Sequence, residues 1–296
     1  PQIPLSFIIL FEALVIDTSK PRFLRMYAWF RLVRIWGALR FDDHRGLIPD
    51  RARLVGGSWR ATLVRTKTSG VGGKREELDI HIDKEAHLNC ANWLAVGWEL
   101  WRSLDMPRDL FLGLPTRDLD SMRNIEAKYA DGQAMSRALL LSLTRADGSP
   151  LLTLPFAPHF WIEHGDRASL VSWAACVPSI NAQWLEDVGR WSSNMSATYI
   201  RTHLFRHASI QRQVAASLRS LTGSGADFGE DDLYAQWATH LKKAGASEGQ
   251  AVEQASAVAE VFVRWAAGHG MDSQLQDADS PALGEIDAPI LPPSAD

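Results

Sequence analysis

Cysteine is scarce in this chain, with two in 296 residues, Cys90 and Cys176. That excludes the disulfide framework of small secreted domains and points to a reducing compartment, with each thiol acting as a small buried hydrophobe. Long apolar runs are also missing. The stretch from Pro1 to Phe11 is apolar but reaches Glu12 too soon to span a bilayer, and it lacks the positive flank and small-residue cleavage site of a secretory leader. It reads either as a core helix or as a segment that once followed something else, and on the second reading the chain would be a fragment. No membrane partner is expected. Carboxylates are few where cations are many: residues 21–67 hold 11 Lys and Arg against 3 acids, Asp42, Asp43 and Asp50. A two-metal cage needs several convergent Asp and Glu side chains, so neither a metal nor another cofactor is expected.

The net charge of -4 conceals an uneven distribution. Residues 1–220 carry 28 basic and 22 acidic side chains, whereas residues 221–296 carry 3 and 13. A local cationic surface can hold a phosphate backbone whatever the total charge. The plain alternative for such a run is a solvated helix face.

Residues 23–39 repeat apolar side chains at helical spacing, interrupted by arginines. The helix is expected to end near Gly37–Asp43. Strand segments follow over 52–66, broken at Gly56-Gly57, and Leu78–Ile82 reads as the returning strand of a hairpin with Lys67 at its rim. Beyond residue 91 the pattern is helical, with segments at 91–104, 118–127, 130–142, 161–176, 180–189 and 192–219. Asp147-Gly148-Ser149-Pro150 is a turn, and 248–267 is a further amphipathic helix. The Pro- and Asp-rich stretch 270–296 has the composition of a disordered tail. The expected class is mostly α with a small antiparallel sheet (α+β). Its divisions are a main domain over 1–220, an acidic helical extension over 221–269, and the tail.

Five side chains in unusual settings make a chemical set. Tyr199 lies in Tyr199-Ile200-Arg201, just after Gly189-Arg190-Trp191-Ser192-Ser193. Upstream stand His164 and Arg167 in His164-Gly165-Asp166-Arg167, Lys67 in Val64-Arg65-Thr66-Lys67-Thr68, and Arg40 in Gly37-Ala38-Leu39-Arg40-Phe41-Asp42-Asp43. Breaking a phosphodiester requires charge neutralised on two non-bridging oxygens, an in-line nucleophile, and a proton for the leaving 5′ oxygen. Arginines grip phosphate oxygens with a planar fork and stay charged, and two of them would clamp the charge that develops. His164, three residues before Arg167, shares its helical face and can donate or move a proton. A phenol attacking the phosphorus gives a phosphotyrosyl ester that conserves bond energy for rejoining. Each element alone is weak, since an isolated helical Tyr or a His-x-x-Arg is usually packing or chance.

Taken in order, the segments resemble the catalytic domain of the tyrosine recombinases, the phage-integrase-like family. Gly37–Asp43 resembles that family's Gly-Leu-Arg-x-x-Glu, with Asp43 where an orienting carboxylate is usual. Lys67 matches its β-hairpin lysine, His164–Arg167 its His-x-x-Arg, and Gly189–Tyr199 its closing segment. Gly-Arg-Trp followed by Tyr-Ile-Arg looks most like eukaryotic mobile-element recombinases of the Crypton and DIRS kind. The resemblance covers roughly residues 10–220. It implies the integrase catalytic-domain fold and a site-specific DNA recombinase or integrase acting without metal through a 3′-phosphotyrosyl intermediate. Arg40, Lys67, His164, Arg167, Trp191 and Tyr199 would be catalytic, Asp43 and Arg190 supporting, and Arg34, Arg45, Arg65 and Arg201 in contact with DNA. One departure is that Arg190 holds the place where the family carries His or Trp. Either Trp191, through its indole N–H, or Arg190, as an added cation, would fill that role. The implied partners are double-stranded DNA and three further copies in a tetramer on DNA, with a monomer when free. A helix after Tyr199 (204–219 or 248–267) would be exchanged between copies or would cap its own chain. The implied location is the nucleus in a eukaryote and otherwise the cytoplasm. A type IB topoisomerase-like activity would use nearly the same residues, and a domesticated mobile-element protein would only bind DNA.

Overall fold

Helix α1 (Leu5–Ile16) is apolar on every side, and such a helix is stable in water only when enclosed. In the computed structural model, which describes residues 3–64, 77–104, 109–154, 156–160, 163–189, 200–220 and 228–268, α1 is enclosed. It packs on α2 (Arg22–Trp36) and α3 (Trp93–Ser103). Its one acid, Glu12, is fully buried and accepts the backbone N–H groups of Leu88, Asn89 and Cys90 at 2.9, 2.7 and 2.9 Å. Burial pushes that carboxyl up to about 7 against the pull of these three donors.

Helix α2 is buried along nearly its whole length, so it forms the axis of the molecule. Gly97 of α3 crosses it so closely that a Cβ there would stand 2.1 Å from Trp29. Trp29 also meets Trp59 edge-on at 5.9 Å, and Trp101 stacks on Phe111 at 4.9 Å. These rings fasten the helices to a three-stranded antiparallel sheet of order β1 (Arg53–Val55), β2 (Ser58–Leu63) and β3 (Leu78–Ile82). The β1–β2 turn is Gly56-Gly57 with φ of 59° and 80°. A two-residue turn with both φ positive matches the twist of its flanking strands and favours glycine at both places.

A second ribbon pairs β4 (Gly113–Pro115) with β5 (Met122–Glu126). Residues 118–127, expected as a helix, therefore contain a strand. The segment has one buried residue in five, so neither period was written clearly in its side chains. The expected helices α4 (Tyr129–Leu141), α5 (Glu163–Ala175), α6 (Ala182–Gly189) and α7 (Ile200–Arg219) follow. Two more, α8 (Glu230–Lys243) and α9 (Glu248–Ala266), pack on each other, and α9 packs on α1. Ser6 of α1 donates to the Val258 carbonyl at 2.6 Å and shares a 2.6 Å hydrogen bond with the Tyr234 hydroxyl. The acidic helices thus join the same apolar core as α1 within one chain. The chain is mostly α with small antiparallel sheets. Of the cysteines expected to be buried, Cys176 is exposed and Cys90 half-buried.

Candidate active site

Helix α2 ends in a tight hydrogen-bonded reversal that presents Arg40. The Leu39 N–H donates to the Arg34 carbonyl at 2.8 Å and the Ala38 N–H to that of Ile35 at 3.2 Å. Ala38 sits at φ 48°. This is a Schellman stop with alanine where glycine is usual, at a cost of roughly 1–2 kcal/mol in backbone strain. The chain then enters a 3₁₀ helix (Phe41–Gly46). The Arg40 N–H donates to Asp43 Oδ2 at 2.8 Å, and Asp43 itself is buried. The carboxylate expected to orient Arg40 does hold its backbone.

Arg167 arrives from α5. It is half-buried, and its affinity for its proton is lowered first by burial and then by the like charge of Arg40, while Asp43 acts in the opposite direction. The two arginines, far apart in sequence, therefore lie within electrostatic reach of each other and of Asp43. What aims Arg167 is the residue before it. Asp166 is fully buried and meets Arg31 at 2.6 Å and Arg34 at 3.1 Å, both from α2. Adjacent helical positions diverge by about 100°, so locking Asp166 onto α2 turns Arg167 away from it, toward the Arg40 side.

Arg34, expected to touch DNA, is fully buried and bound to Asp166, with its guanidinium over the rings of Phe30 and Phe41 at 5.8 and 5.3 Å. It is a structural cation, and the expectation of DNA contact is corrected. Arg45 stays at the surface but pairs with Glu126 at 2.7 Å. His44, beside it, is buried with Nδ1 2.5 Å from the Phe41 carbonyl, and burial lowers its proton affinity.

Lys67 and Arg65, and likewise Arg190, Trp191 and Tyr199, lie outside the described residues. For His164 and Arg201 the helical backbone alone is described, in α5 and α7. The root of the hairpin that carries Lys67 is nonetheless fixed near Arg40. Val64 N–H donates to the Gly46 carbonyl at 2.9 Å, and Leu47 bridges Leu63. The helix that begins immediately after Tyr199, α7, packs against β3, α5 and α6.

One residue that the sequence did not flag ties these pieces together. Gln211 of α7 is fully buried; its amide donates to the carbonyls of Trp36 at 2.7 Å and His81 at 2.9 Å, and its oxygen accepts the Asp83 N–H at 2.7 Å. It thus joins the end of α2, strand β3 and α7, the three elements that lead to Arg40, Lys67 and Tyr199. Arg212 adds a 2.6 Å ion pair to Asp83. The available signal was a single amide, Gln211, in a helical stripe shared with Ile210, Val214, Ala215 and Leu218.

No match was found when the chain was compared with protein-family models, with curated proteins and with solved structures. No helix among the described residues is long and apolar enough to cross a membrane.

Proposed function

We propose that this chain breaks and rejoins DNA strands as a tyrosine recombinase, with Tyr199 as the nucleophile and an integrase-type catalytic fold. The observation that carries this proposal is the approach of Arg40 to Arg167 beside buried Asp43. Two guanidiniums brought together from distant segments, one of them half-buried, suit a phosphate oxygen each.

In the proposed reaction the Tyr199 phenolate oxygen attacks the scissile phosphorus. Arg40 and Arg167 hold the two non-bridging oxygens, and His164 donates to one of them. The bond from phosphorus to the 5′ oxygen breaks, and Lys67 supplies its proton. The DNA is left joined through a 3′-phosphotyrosyl ester, and attack by a free 5′ hydroxyl runs the sequence in reverse. Trp191 or Arg190 completes the phosphate contacts. Double-stranded DNA is the substrate, strand exchange takes place in a tetramer, and in a eukaryote the work is nuclear.

The test uses the whole chain and a nicked suicide duplex whose cleaved end diffuses away. A covalent protein–DNA band should form on a denaturing gel in excess EDTA. It should vanish in Tyr199→Phe while DNA affinity stays within a few fold. An undiminished band in that variant, or strict dependence on added magnesium or manganese, would overturn the proposal.

A further inference from the structure

The cations of residues 21–67 divide sharply once folded. Arg31 and Arg34 are buried on Asp166, and Arg25 is buried against the Val15 carbonyl. Arg22 is held by Ser103 and Asp120, Arg45 by Glu126, and Arg51 by Glu77. Apart from Arg40 in the candidate site, and Arg65 and Lys67 outside the described residues, Arg53 and Arg60 remain. Both are exposed, and they stand directly opposite each other across β1 and β2. Neither is ion-paired with a described residue. Like charges at directly opposed strand positions destabilise a sheet, so this arrangement works against the fold that carries it.

The two side chains line a shallow hollow with Arg51, Thr62, Asp79 and Leu204. Asp79 is the one acid in its wall, and it accepts a 3.4 Å hydrogen bond from Thr62. Leu204 belongs to the first turns of α7, so the hollow opens beside the chain that has just left Tyr199. In the other direction β2 runs from Arg60 toward Val64, whose N–H donates to Gly46 at the end of the 3₁₀ helix that follows Arg40. Four residues of strand span roughly 13 Å. The six-residue 3₁₀ helix from Phe41 to Gly46 adds about 12 Å, so a duplex strand gripped at Arg40 and Arg167 would have this face within about 25 Å.

We infer that Arg53 and Arg60 form a second phosphate grip, holding the backbone of duplex DNA beside the cleavage site. This rests on the proposed reaction for its location but not for its test. Two planar forks on facing strands suit a phosphodiester, and the bound anion removes the repulsion between them.

The experiment measures binding of the whole chain to a labelled duplex over a series of salt concentrations, for the parent and for Arg53→Gln/Arg60→Gln. Because each neutralised phosphate contributes about 1 to the slope of log K against log salt, and both arginines grip one phosphodiester, the double variant should bind more weakly with a slope shallower by about 1. Its melting temperature should be unchanged or higher, since the like-charge pair is gone. An unchanged slope overturns the inference. So does competition by millimolar inorganic phosphate with no change in the DNA slope, which would mark a small-anion site. Repeating the titration in Tyr199→Phe separates the two proposals. A slope change without a covalent band in the parent sustains the grip and sinks the chemistry, and a band without a slope change does the reverse.

Discussion

Arg34 and Arg60 make an instructive pair. Both lie in the cation-rich segment 21–67, and from the sequence Arg34, not Arg60, was expected to touch DNA. Folding sends Arg34 to a site with no exposure, where Asp166 neutralises it, and leaves Arg60 on an open sheet face opposite Arg53. The difference arises from the partner rather than the local pattern. The fully buried guanidinium of Arg34 is held by a carboxylate brought in by another element, α5, whereas an exposed one is solvated where it stands. Arg31 and Arg34 therefore hold α2 to α5, whereas Arg60 stays open to solvent.

The largest expected effect breaks the buried side of that comparison. Asp166→Ala should cost about 3–5 kcal/mol, because it strands two charges in the interior, and denaturant unfolding would measure it. Replacing Arg31, Arg34 and Asp166 together by apolar residues of similar volume should recover most of the loss. A single variant that unfolds like the parent would show that Asp166 does not hold α5 to α2.

A buried carboxyl without a cation sharpens the point. Glu230 is pushed up to about 7 from an ordinary 4.5, chiefly by burial, with the Tyr234 hydroxyl and the Leu5 N–H pulling the other way. Folding thus favours its protonated form. Its stabilising contribution is complete below pH 4.5 and is lost as pH rises through about 7. Glu230→Gln should flatten the fall in stability over that window by on the order of 1–3 kcal/mol. Parallel slopes for parent and variant would refute this.

The smallest effect lies on the exposed side. Arg60→Ala should change stability by no more than about 0.5 kcal/mol, or improve it slightly. A loss as large as that of Asp166→Ala would mean that the exposed arginine is structural after all.

The same physics explains what could be read from the sequence. The three-stranded sheet was legible because Gly56-Gly57 and the alternation of Trp59, Ala61 and Leu63 are local signals. So was the end of α2, marked by Gly37. Strand β5 was hidden because it is short and mostly exposed. Helix α8 was missed because Glu230, Asp231 and Asp232 read as part of an acidic stretch, although Leu233, Tyr234, Trp237 and Leu241 carry helical spacing and are buried. For the candidate site, motif order pointed to Arg40, Asp43 and Arg167. Gln211 and the Asp166 clamp depend on contacts between distant elements, which no local pattern encodes.

The pairing of Arg40 with Arg167 as a phosphate clamp is tested most directly by the rate of covalent adduct formation at saturating DNA in Arg40→Ala and in Arg167→Ala. Each should fall by about 10²–10³-fold, as expected when a preorganised donor to the transition-state charge is removed, with Tyr199 still the attached residue in whatever adduct remains. Near-parental rates in either variant would contradict the clamp.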